Sequence, residues 1–491
     1  MPFVVALGRD GEGHVQRAAA VTAGDEAARV RHILHRRSAL EDQQHALPAG
    51  VEGDQPLAFE HRREADHFGK EAARARHVIH VERGLEQPLD PGLRGERIAA
   101  VQPAAAALPA GAERVAAEGL FAIPGLIDVH QHLAIGQGRR AAEAALRREV
   151  HSGVTAVRDM TGDARILADL ARSARLGEIP AADVYFAGLF AGPSFFTDER
   201  RAASAEGETV GKVPWLRAIR PEDDLRLAIA ELRGTGASGI KVYGNLEPAL
   251  VARIAAEARR QGVPVWAHAA VFPATPLDVA AAAPATMSHV CMLGYQALKP
   301  PPPSYHDRAP LDEPSLGRRR PHAEVAKALA AMRERGIVLD TTLWVYREIE
   351  RMRREMKGYK PPTYCSSRLA EALAGQAYRA GVMLATGTDA PARAASAYPA
   401  VFDEMELLRG GAGLPPADMI RAATLNAARA LGRDGEMGAI EPGKLANIAF
   451  LAEDPLGPKA KLRSVVLTVK RGRPYWRRDY VPVTVEELNE F

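Results

Sequence analysis

The sequence has little cysteine, little net charge and no long apolar run. Only Cys291 and Cys365 are present among 491 residues, which excludes a disulfide framework and a cysteine-rich zinc module. Lys and Arg (64) nearly balance Asp and Glu (61), too evenly for a protein that mainly binds a nucleic-acid backbone. No apolar run reaches the roughly 18 residues of a membrane helix, and the start lacks the basic segment of a secretory signal. We therefore expect a soluble, cytoplasmic protein that binds neither nucleic acid nor membrane.

The chain does have enough apolar residues for a sizeable core. Hydrophobic residues make up 47% and charged residues 25%, which excludes global disorder. The first 75 residues differ from the rest, because they are charged and rich in histidine without sustained apolar periodicity. Eight of the 15 histidines lie near this end: His14, His32, His35, His45, His61, His67, His77 and His80. A metal-binding tail is one interpretation, but we favour a solvated extension, since no strand or helix pattern holds these side chains at ligand spacing.

From residue 121 onward, short apolar runs alternate with amphipathic segments. The runs lie at 121–129, 154–158, 184–187, 239–243, 263–267, 286–288, 337–339 and 382–385. In the segments between them, apolar residues recur at three- and four-residue steps, which indicates helices. Eight strands, each followed by a helix, are typical of a TIM barrel. The sequence therefore predicts an α/β protein with a distorted (β/α)8 barrel over residues 121–431.

The segments on both sides of the barrel also contain strand patterns. Alternating apolar residues at 77–81 and 97–101, and apolar runs at 446–451 and 464–470, are typical of short strands. We predict that residues 76–120 and 432–491 together form a small β-sandwich domain. Residues 1–75 are predicted to be a poorly patterned extension.

The strongest chemical signal ends the first predicted barrel strand, in Pro124-Gly-Leu-Ile-Asp-Val-His-Gln-His132. Alternate residues of a strand point to the same side, so the imidazoles of His130 and His132 face one side together. Neutral imidazole is a ligand that suits zinc and its neighbours. Taken alone the pair is weak evidence, because two packed or surface histidines at this spacing are about as common.

Other predicted strands end in side chains that can carry chemistry. They are Lys241 on the fourth strand, His268 on the fifth, His289 on the sixth and Asp389 on the eighth. Each could have a different role alone, such as a packed histidine, a lysine that reaches the surface or an aspartate that caps a helix. Because the active sites of barrels form where the carboxyl ends of the strands meet, five such strands together indicate one site.

With these residues the sequence resembles the amidohydrolase superfamily, in its branch with two metals and a carboxylated lysine. Within that branch it is most similar to the group of imidazolonepropionase-like hydrolases and Xaa-Pro dipeptidases. The resemblance runs from about residue 76 to the C-terminus and includes the stretches 153–159, 423–432 and 438–447. One departure is Asn447, where the family usually has Asp. It lies outside the expected metal site, so we expect it to affect only a local turn.

The resemblance implies that six side chains hold two divalent metal ions, expected to be Zn²⁺: His130, His132, Lys241, His268, His289 and Asp389. The first two histidines and Asp389 would bind one ion, and the other two histidines the second. Lys241 would bridge them as N6-carboxylysine, the carbamate that forms with CO₂. The chemistry agrees, because burial beside cations lowers the pKa of a lysine and exposes the neutral amine that CO₂ attacks.

The resemblance also implies hydrolysis of an amide bond. Two metals roughly 3.5–4 Å apart lower the pKa of a shared water to about 7, so that hydroxide attacks the carbonyl. Asp389 would be the general base and then the general acid that protonates the leaving amine. Tyr243, two residues after Lys241, either binds the substrate or packs at the barrel rim. The expected substrates are dipeptides or N-acyl amino acids, as for a prolidase or carboxypeptidase, and a homo-oligomer is expected.

Other functions stay open at this point. The same site could cleave a lactone, a phosphoester or a xenobiotic amide. Lys241 argues against a mononuclear deaminase, and the complete set of six side chains argues against an inactive scaffold. We interpret Arg158 and Asp159 as an ion pair at the barrel rim. We interpret the Arg-Arg-Arg run at 318–320 as a solvated loop; the alternative is that it binds a carboxylate of the substrate.

Overall fold

The structure is a computed structural model that describes residues 2–7, 77–83, 96–103, 113–136, 138–197, 199–358, 364–391, 396–457 and 461–488. Its strands are β1 (Pro2–Leu7), β2 (His77–Arg83), β3 (Glu96–Pro103), β4 (Glu113–Glu118), β5 (Phe121–Pro124), β6 (Leu126–Gln131), β7 (Val154–Asp159), β8 (Asp183–Ala191), β9 (Lys212–Val213), β10 (Leu216–Ala218), β11 (Gly239–Val242), β12 (Val265–His268), β13 (Thr286–Ser288), β14 (Val338–Asp340), β15 (Leu384–Ala385), β16 (Ile448–Leu451), β17 (Val465–Lys470) and β18 (Arg473–Trp476).

The α-helices lie mainly between the strands. They are α1 (Arg139–Val150), α2 (Ala164–Leu176), α3 (Leu225–Gly234), α4 (Pro248–Arg260), α5 (Pro276–Ala281), α6 (Glu313–Leu316), α7 (Ala323–Glu334), α8 (Leu343–Glu355), α9 (Ser367–Arg379), α10 (Val401–Gly410), α11 (Pro416–Ala422), α12 (Leu425–Leu431) and α13 (Val485–Leu488). Short 3-10 helices span Pro193–Thr197, Glu199–Ser204, Val290–Ala297 and Arg477–Asp479. None of the helices in the described ranges is long and apolar enough to cross a membrane.

Eight parallel strands, β6 to β8 and β11 to β15, form the nearly closed barrel that the sequence predicts. Each pairs with the next along the chain. A bridge between Gln131 and Ala390 brings the end of the last strand beside the first. Each of the eight predicted runs overlaps one of these strands, so the barrel is confirmed. The carboxyl ends of its strands, here called the mouth, therefore meet at one place.

The first predicted run is two strands rather than one. Gly125 separates β5 from β6, and a Cβ at Gly125 would clash with the side chain of Thr155 on β7. β6 turns into the barrel, whereas β5 pairs antiparallel with β16. The barrel therefore begins at Leu126, and Phe121–Pro124 belongs to a separate sheet.

That separate antiparallel sheet contains strands from both halves of the chain, in the order β18-β17-β16-β5; we call it the terminal sheet. A second sheet has the order β3-β2-β1-β4. The two share one apolar core: Ile98, Val115, Ala117, Ala122, Ala446, Ile448, Phe450, Leu467 and Val469. The small β-domain built from N- and C-terminal segments is thus present, and β1 falls inside the stretch assigned to the extension. The histidines of that stretch, residues 1–75, lie outside the described residues, and the division into domains stays a prediction.

The helices that cover the barrel form for ordinary local reasons, as α2 shows. The side chain of Asp163 accepts a hydrogen bond from the backbone N–H of Arg165 and caps the first turn. Gly177 ends the helix in the left-handed conformation, at φ 68°. The buried face carries Leu167, Leu170 and Ala174. Apolar residues at three- and four-residue spacing therefore seat the helix on the barrel.

Two insertions meet above the mouth. One follows β8 and contains the 3-10 helix Pro193–Thr197, and the other follows β13 and runs to α7. Asn245, in the loop after β11, joins them: its Nδ2 donates to Ser194 Oγ at 3.0 Å, and its Oδ1 accepts from the backbone N–H of Tyr305 at 2.7 Å. A disulfide between Cys291 and Cys365 ties the start of the second insertion to the segment before α9. One such bond is not a disulfide framework.

Candidate metal centre and active site

The six side chains predicted to bind metal all lie at the mouth and are buried. They are placed by five strands: His130 on β6, His132 directly after it, Lys241 on β11, His268 at the end of β12, and His289 and Asp389 beyond β13 and β15. We call them the ligand cluster. Their roles as ligands stay a prediction, whereas their proximity is a finding.

Asp389 lies among three of the histidines. Its Oδ1 is 2.8 Å from Nε2 of His132 and 3.6 Å from Nε2 of His130, and its Oδ2 is 4.0 Å from Nδ1 of His289. One ligand atom from each of His130, His289 and Asp389 lies within 4.8 Å of the others. Three of the six side chains, His130, His132 and Asp389, thus lie on or beyond β6 and β15, the first and the last strand of the barrel.

The remaining members extend the cluster without a gap. The ring centroid of His289 lies 4.7 Å from that of His130 and 4.4 Å from that of His268. The Nζ of Lys241 donates to the carbonyl of Met160 at 3.0 Å and lies 4.7 Å from the centre of the Tyr243 ring. That ring stacks on His268, with centroids 4.0 Å apart. The lysine is therefore inside the same cluster as the imidazoles.

Two members of the ligand cluster and one neighbour have strained backbone conformations. His289, Thr342 and Asp389 have φ values of 66°, 51° and 56°, a region that side-chain-bearing residues seldom adopt. Each such residue costs on the order of 1–3 kcal/mol and persists only where its surroundings hold it. Thr342 is held by its side chain, whose Oγ1 lies 3.0 Å from Nδ1 of His289. Two of the cluster members, His289 and Asp389, are thus in strained conformations just after their strands.

Burial favours the neutral form of three histidines of the cluster. Desolvation holds the pKa of His268 and of His289 well below the ordinary range, and the neighbouring positive groups lower both further. Burial also lowers the pKa of His130, although the charges of Asp340 and Asp389 oppose that shift. Neutral imidazole is the form that binds metal.

Asp389, in contrast, is ionised. Burial alone would raise the pKa of its carboxyl, but the electrostatic attraction of the His130 side chain and the hydrogen bond with His132 outweigh it and hold the pKa below the usual value. The cluster therefore combines three imidazoles with lowered pKa values and one carboxylate whose pKa is also lowered.

Asp340 is a functional candidate that the sequence analysis misses. It ends β14, is fully buried, and its Oδ2 lies 2.7 Å from Nδ1 of His130. The same oxygen accepts from Ser288 Oγ at 2.9 Å and from Arg158 Nη2 at 3.2 Å. A carboxylate on Nδ1 fixes the ring so that Nε2 faces Asp389. The predicted run 337–339 stops one residue short, and an acid at a strand end is the signal that identifies it.

Arg158 corrects another prediction. It is fully buried, donates to the carbonyl of Val129 and pairs with Asp340, while its guanidinium carbon lies 4.6 Å from the centre of the Trp266 ring. Asp159 instead accepts the backbone N–H groups of residues 133 and 161. The predicted ion pair between Arg158 and Asp159 is therefore wrong, because successive residues of a strand point to opposite sides.

Aromatic side chains form one wall of the mouth. The hydroxyl of Tyr243 lies 3.4 Å from that of Tyr305, and the ring of Phe195 lies 4.5 Å from the ring of Tyr243. Tyr305 also approaches His268, at 5.8 Å between centroids, and Arg308 stacks on Tyr305. Tyr243 is thus beside the cluster, as its predicted substrate role requires. Tyr305 and Arg308 lie in the proline-rich insertion, where no periodic pattern marks them.

The side chains of the ligand cluster are chemically suited to bind divalent metal ions. Buried ring nitrogens without a hydrogen-bond partner among the described residues include Nε2 of His130, Nε2 of His289 and both nitrogens of His268. Buried polar atoms are nearly always paired, so several such atoms in one cluster require an explanation. Imidazole and carboxylate are ligands of zinc and related divalent metals. The residues present can therefore hold such ions.

Comparison with known proteins agrees with this geometry. Residues 121–474 match the family model described as the amidohydrolase family. Among solved structures, the chain is similar to a Xaa-Pro dipeptidase with methionine bound in its active site (18% identity, TM-score 0.61), with 78% of this chain and 94% of that one covered.

Two further solved structures are similar over the same share, 78%, of this chain. They are a prolidase complexed with N-methylphosphonate-L-proline (19% identity, TM-score 0.59, 94% of that chain) and molinate hydrolase (19% identity, TM-score 0.58, 90% of that chain). At these identities the similarity shows the fold alone. No curated protein matches the sequence.

Proposed function

This chain belongs to the amidohydrolase family, and we propose that it is a metal-dependent enzyme that cleaves the amide bond of dipeptides or N-acyl amino acids, as a prolidase does. The single observation that carries the proposal is the buried ligand cluster, whose imidazole nitrogens converge on one carboxylate and one lysine at the mouth.

The proposed centre holds two divalent ions, expected to be Zn²⁺. His130, His132 and Asp389 would hold one, and His268 and His289 the other. Lys241, as N6-carboxylysine, would lie between them. Such ions lower the pKa of a water and polarise a substrate carbonyl.

Asp389 is proposed to move the proton. Its carboxylate is ionised and has both oxygens directed into the cluster. It accepts a proton from the attacking water as the C–O bond forms, and gives that proton to the amide nitrogen as the C–N bond breaks. The products are a carboxylic acid and an amine, so one water molecule is consumed for each bond cleaved.

Neighbouring residues are proposed to position the His130 ring and the substrate. Asp340 fixes the His130 ring through its Nδ1. Tyr243 has its hydroxyl beside that of Tyr305 and next to His268, and we propose that it donates a hydrogen bond to the substrate. The aromatic wall excludes water from the reacting bond.

A substrate panel tests the proposal. The protein, loaded with zinc, cobalt or manganese, is assayed on dipeptides, N-acyl amino acids, lactones, phosphoesters and aminopurines. We expect dipeptides or N-acyl amino acids to be cleaved with a kcat/KM at least about 10²-fold above the other classes, a difference near 3 kcal/mol. Turnover restricted to lactones or phosphoesters would contradict the substrate class. Turnover of aminopurines with one ion per chain would favour a deaminase. No turnover of any substrate in the panel would favour an inactive scaffold.

A further inference from the structure

Arg308 is a buried cation beside the mouth. It lies in the insertion that follows β13, and only 7% of its surface is exposed. Its guanidinium carbon lies 3.5 Å from the centre of the Tyr305 ring and 5.5 Å from that of Tyr364. Its Nε–H donates to the backbone carbonyl of Tyr305. The guanidinium is thus stacked, tethered and largely removed from water.

Tyr305 connects this cation to the ligand cluster. Its ring lies 5.8 Å from that of His268, and its hydroxyl lies 3.4 Å from that of Tyr243. Its backbone N–H is held by Asn245 Oδ1, from the loop after the strand of Lys241. The insertion is therefore fixed against the barrel at this point, and Arg308 is separated from His268 by one aromatic ring.

We propose that Arg308 determines substrate specificity by binding a free carboxylate of the substrate, so that the enzyme prefers anionic amides such as N-acyl amino acids and dipeptides with a free C-terminus. This inference rests on the proposed function. A guanidinium is always charged and matches the planar carboxylate. Stacking on an aromatic ring holds it in place before the substrate arrives, which reduces the entropy lost on binding. Near this buried charge a cationic group would be repelled.

The exposed arginines of the same insertion provide the contrast. Arg318 and Arg319 are solvent-exposed, as the interpretation of 318–320 as a solvated loop requires. Exposed charges are screened by water and salt and contribute little. A carboxylate bound beside His268 therefore gains more from Arg308 than from either of them.

The kinetic test compares the best substrate of the panel with its C-terminal carboxamide, for wild type, Arg308→Gln, Arg308→Lys and the control Arg318→Gln. We expect Arg308→Gln to reduce kcat/KM about 10- to 100-fold on the free acid, the scale of a lost charge-assisted hydrogen bond, and less than about threefold on the carboxamide. Arg308→Lys should retain part of the preference, and Arg318→Gln all of it. An equal loss on both substrates, or no loss on either, would overturn the proposal.

A binding test needs no turnover. The metal-loaded wild type is titrated calorimetrically with L-leucine and with L-leucinol, which lacks the carboxylate. Tighter binding of L-leucine, reduced in Arg308→Lys, supports the assignment, and equal affinity overturns it even if Arg308→Gln fails to fold. Amide cleavage without preference for a carboxylate would remove this inference and leave the proposed function intact. If L-leucine binds in an Arg308-dependent way but no amide is cleaved, the role of Arg308 stands and the proposed function is contradicted.

Discussion

The barrel holds a buried cluster of ionisable side chains at each end, and the two use their polar atoms differently. At the amino end, Asp183 begins β8 and faces two cations: Lys470 Nζ at 2.8 Å and Arg471 Nε at 2.7 Å. Both cations come from the terminal sheet, so this cluster joins the small domain to the barrel. At the mouth, Nε2 of His130, Nε2 of His289 and both ring nitrogens of His268 have no hydrogen-bond partner among the described residues.

The difference shows how burial alone misleads. Lys470 and Lys241 are both buried. Lys470 pairs with the carboxylate of Asp183, whereas Lys241 donates to the carbonyl of Met160 and lies beside the ring of Tyr243. The charges of the amino-end cluster are paired within the protein, whereas ring nitrogens that converge without partners are suited to a ligand. In barrels of this kind, the amino end serves stability and the carboxyl end serves catalysis.

The largest expected effect separates the two lysines. We expect Lys241→Ala to lose both metal ions and all activity, with partial rescue of activity by acetate, because a small carboxylate replaces the bridging group. We expect the matched control Lys470→Met to retain its metal and to lose about 3 kcal/mol of unfolding free energy, as for a broken buried ion pair. Metal analysis and urea unfolding measure these outcomes. If Lys241→Ala still binds two metal ions, Lys241 is not needed for metal binding and the proposed difference between the two clusters is wrong.

The next largest effect concerns proton transfer at the mouth. Asp389→Asn should reduce kcat about 10²- to 10⁴-fold, the usual contribution of a general base, while at least one metal ion stays bound. Stopped-flow or chromatographic assays with metal analysis on the same sample check this. Normal turnover in the variant would refute the role of Asp389 as base.

A smaller effect, on metal affinity, is expected from Asp340, which contacts the predicted ligand His130. Asp340→Asn should weaken metal binding about 10- to 100-fold, the usual effect of losing a carboxylate that orients a ligating histidine. Competition with a fluorescent chelator measures the affinity. Ser288→Ala, which removes only one neutral hydrogen bond to Asp340, serves as the control and should change it much less. An unchanged affinity in Asp340→Asn would mean that His130 is held without this carboxylate.

The last effect is a pH dependence of the amino-end cluster. Burial would raise the pKa of Asp183, but Lys470 and Arg471 outweigh it and hold the pKa below the ordinary value of 3.8. The ion pair therefore stabilises the folded state above about pH 4 and is lost as the pH falls through the folded-state pKa. The difference in unfolding free energy between wild type and Asp183→Asn should be about 3 kcal/mol at pH 7 and shrink towards pH 3. A difference independent of pH would assign the effect to packing.

Much of this arrangement follows from the sequence, because periodicity and strand ends are local signals. The runs of two-residue and 3.6-residue periodicity predict all eight barrel strands, and the barrel then brings His130, Lys241, His268, His289 and Asp389 to the mouth. Family membership is likewise confirmed by the match over residues 121–474.

The missed features depend on contacts between distant segments. Phe121–Pro124 looks continuous with β6, and only its pairing with β16 removes it from the barrel. Arg158 and Asp159 are adjacent in sequence, and their separation follows from the opposite faces of β7. Tyr305 and Arg308 lie in an insertion without periodicity, so only tertiary packing places them beside His268.

Anomalous X-ray diffraction from crystals of the metal-loaded protein would show whether the mouth holds two metal ions bridged by a modified lysine. We expect two anomalous peaks, with density extending Lys241 by a carbamate between them. An unmodified Lys241 beside a single ion, or beside none, would contradict this expectation.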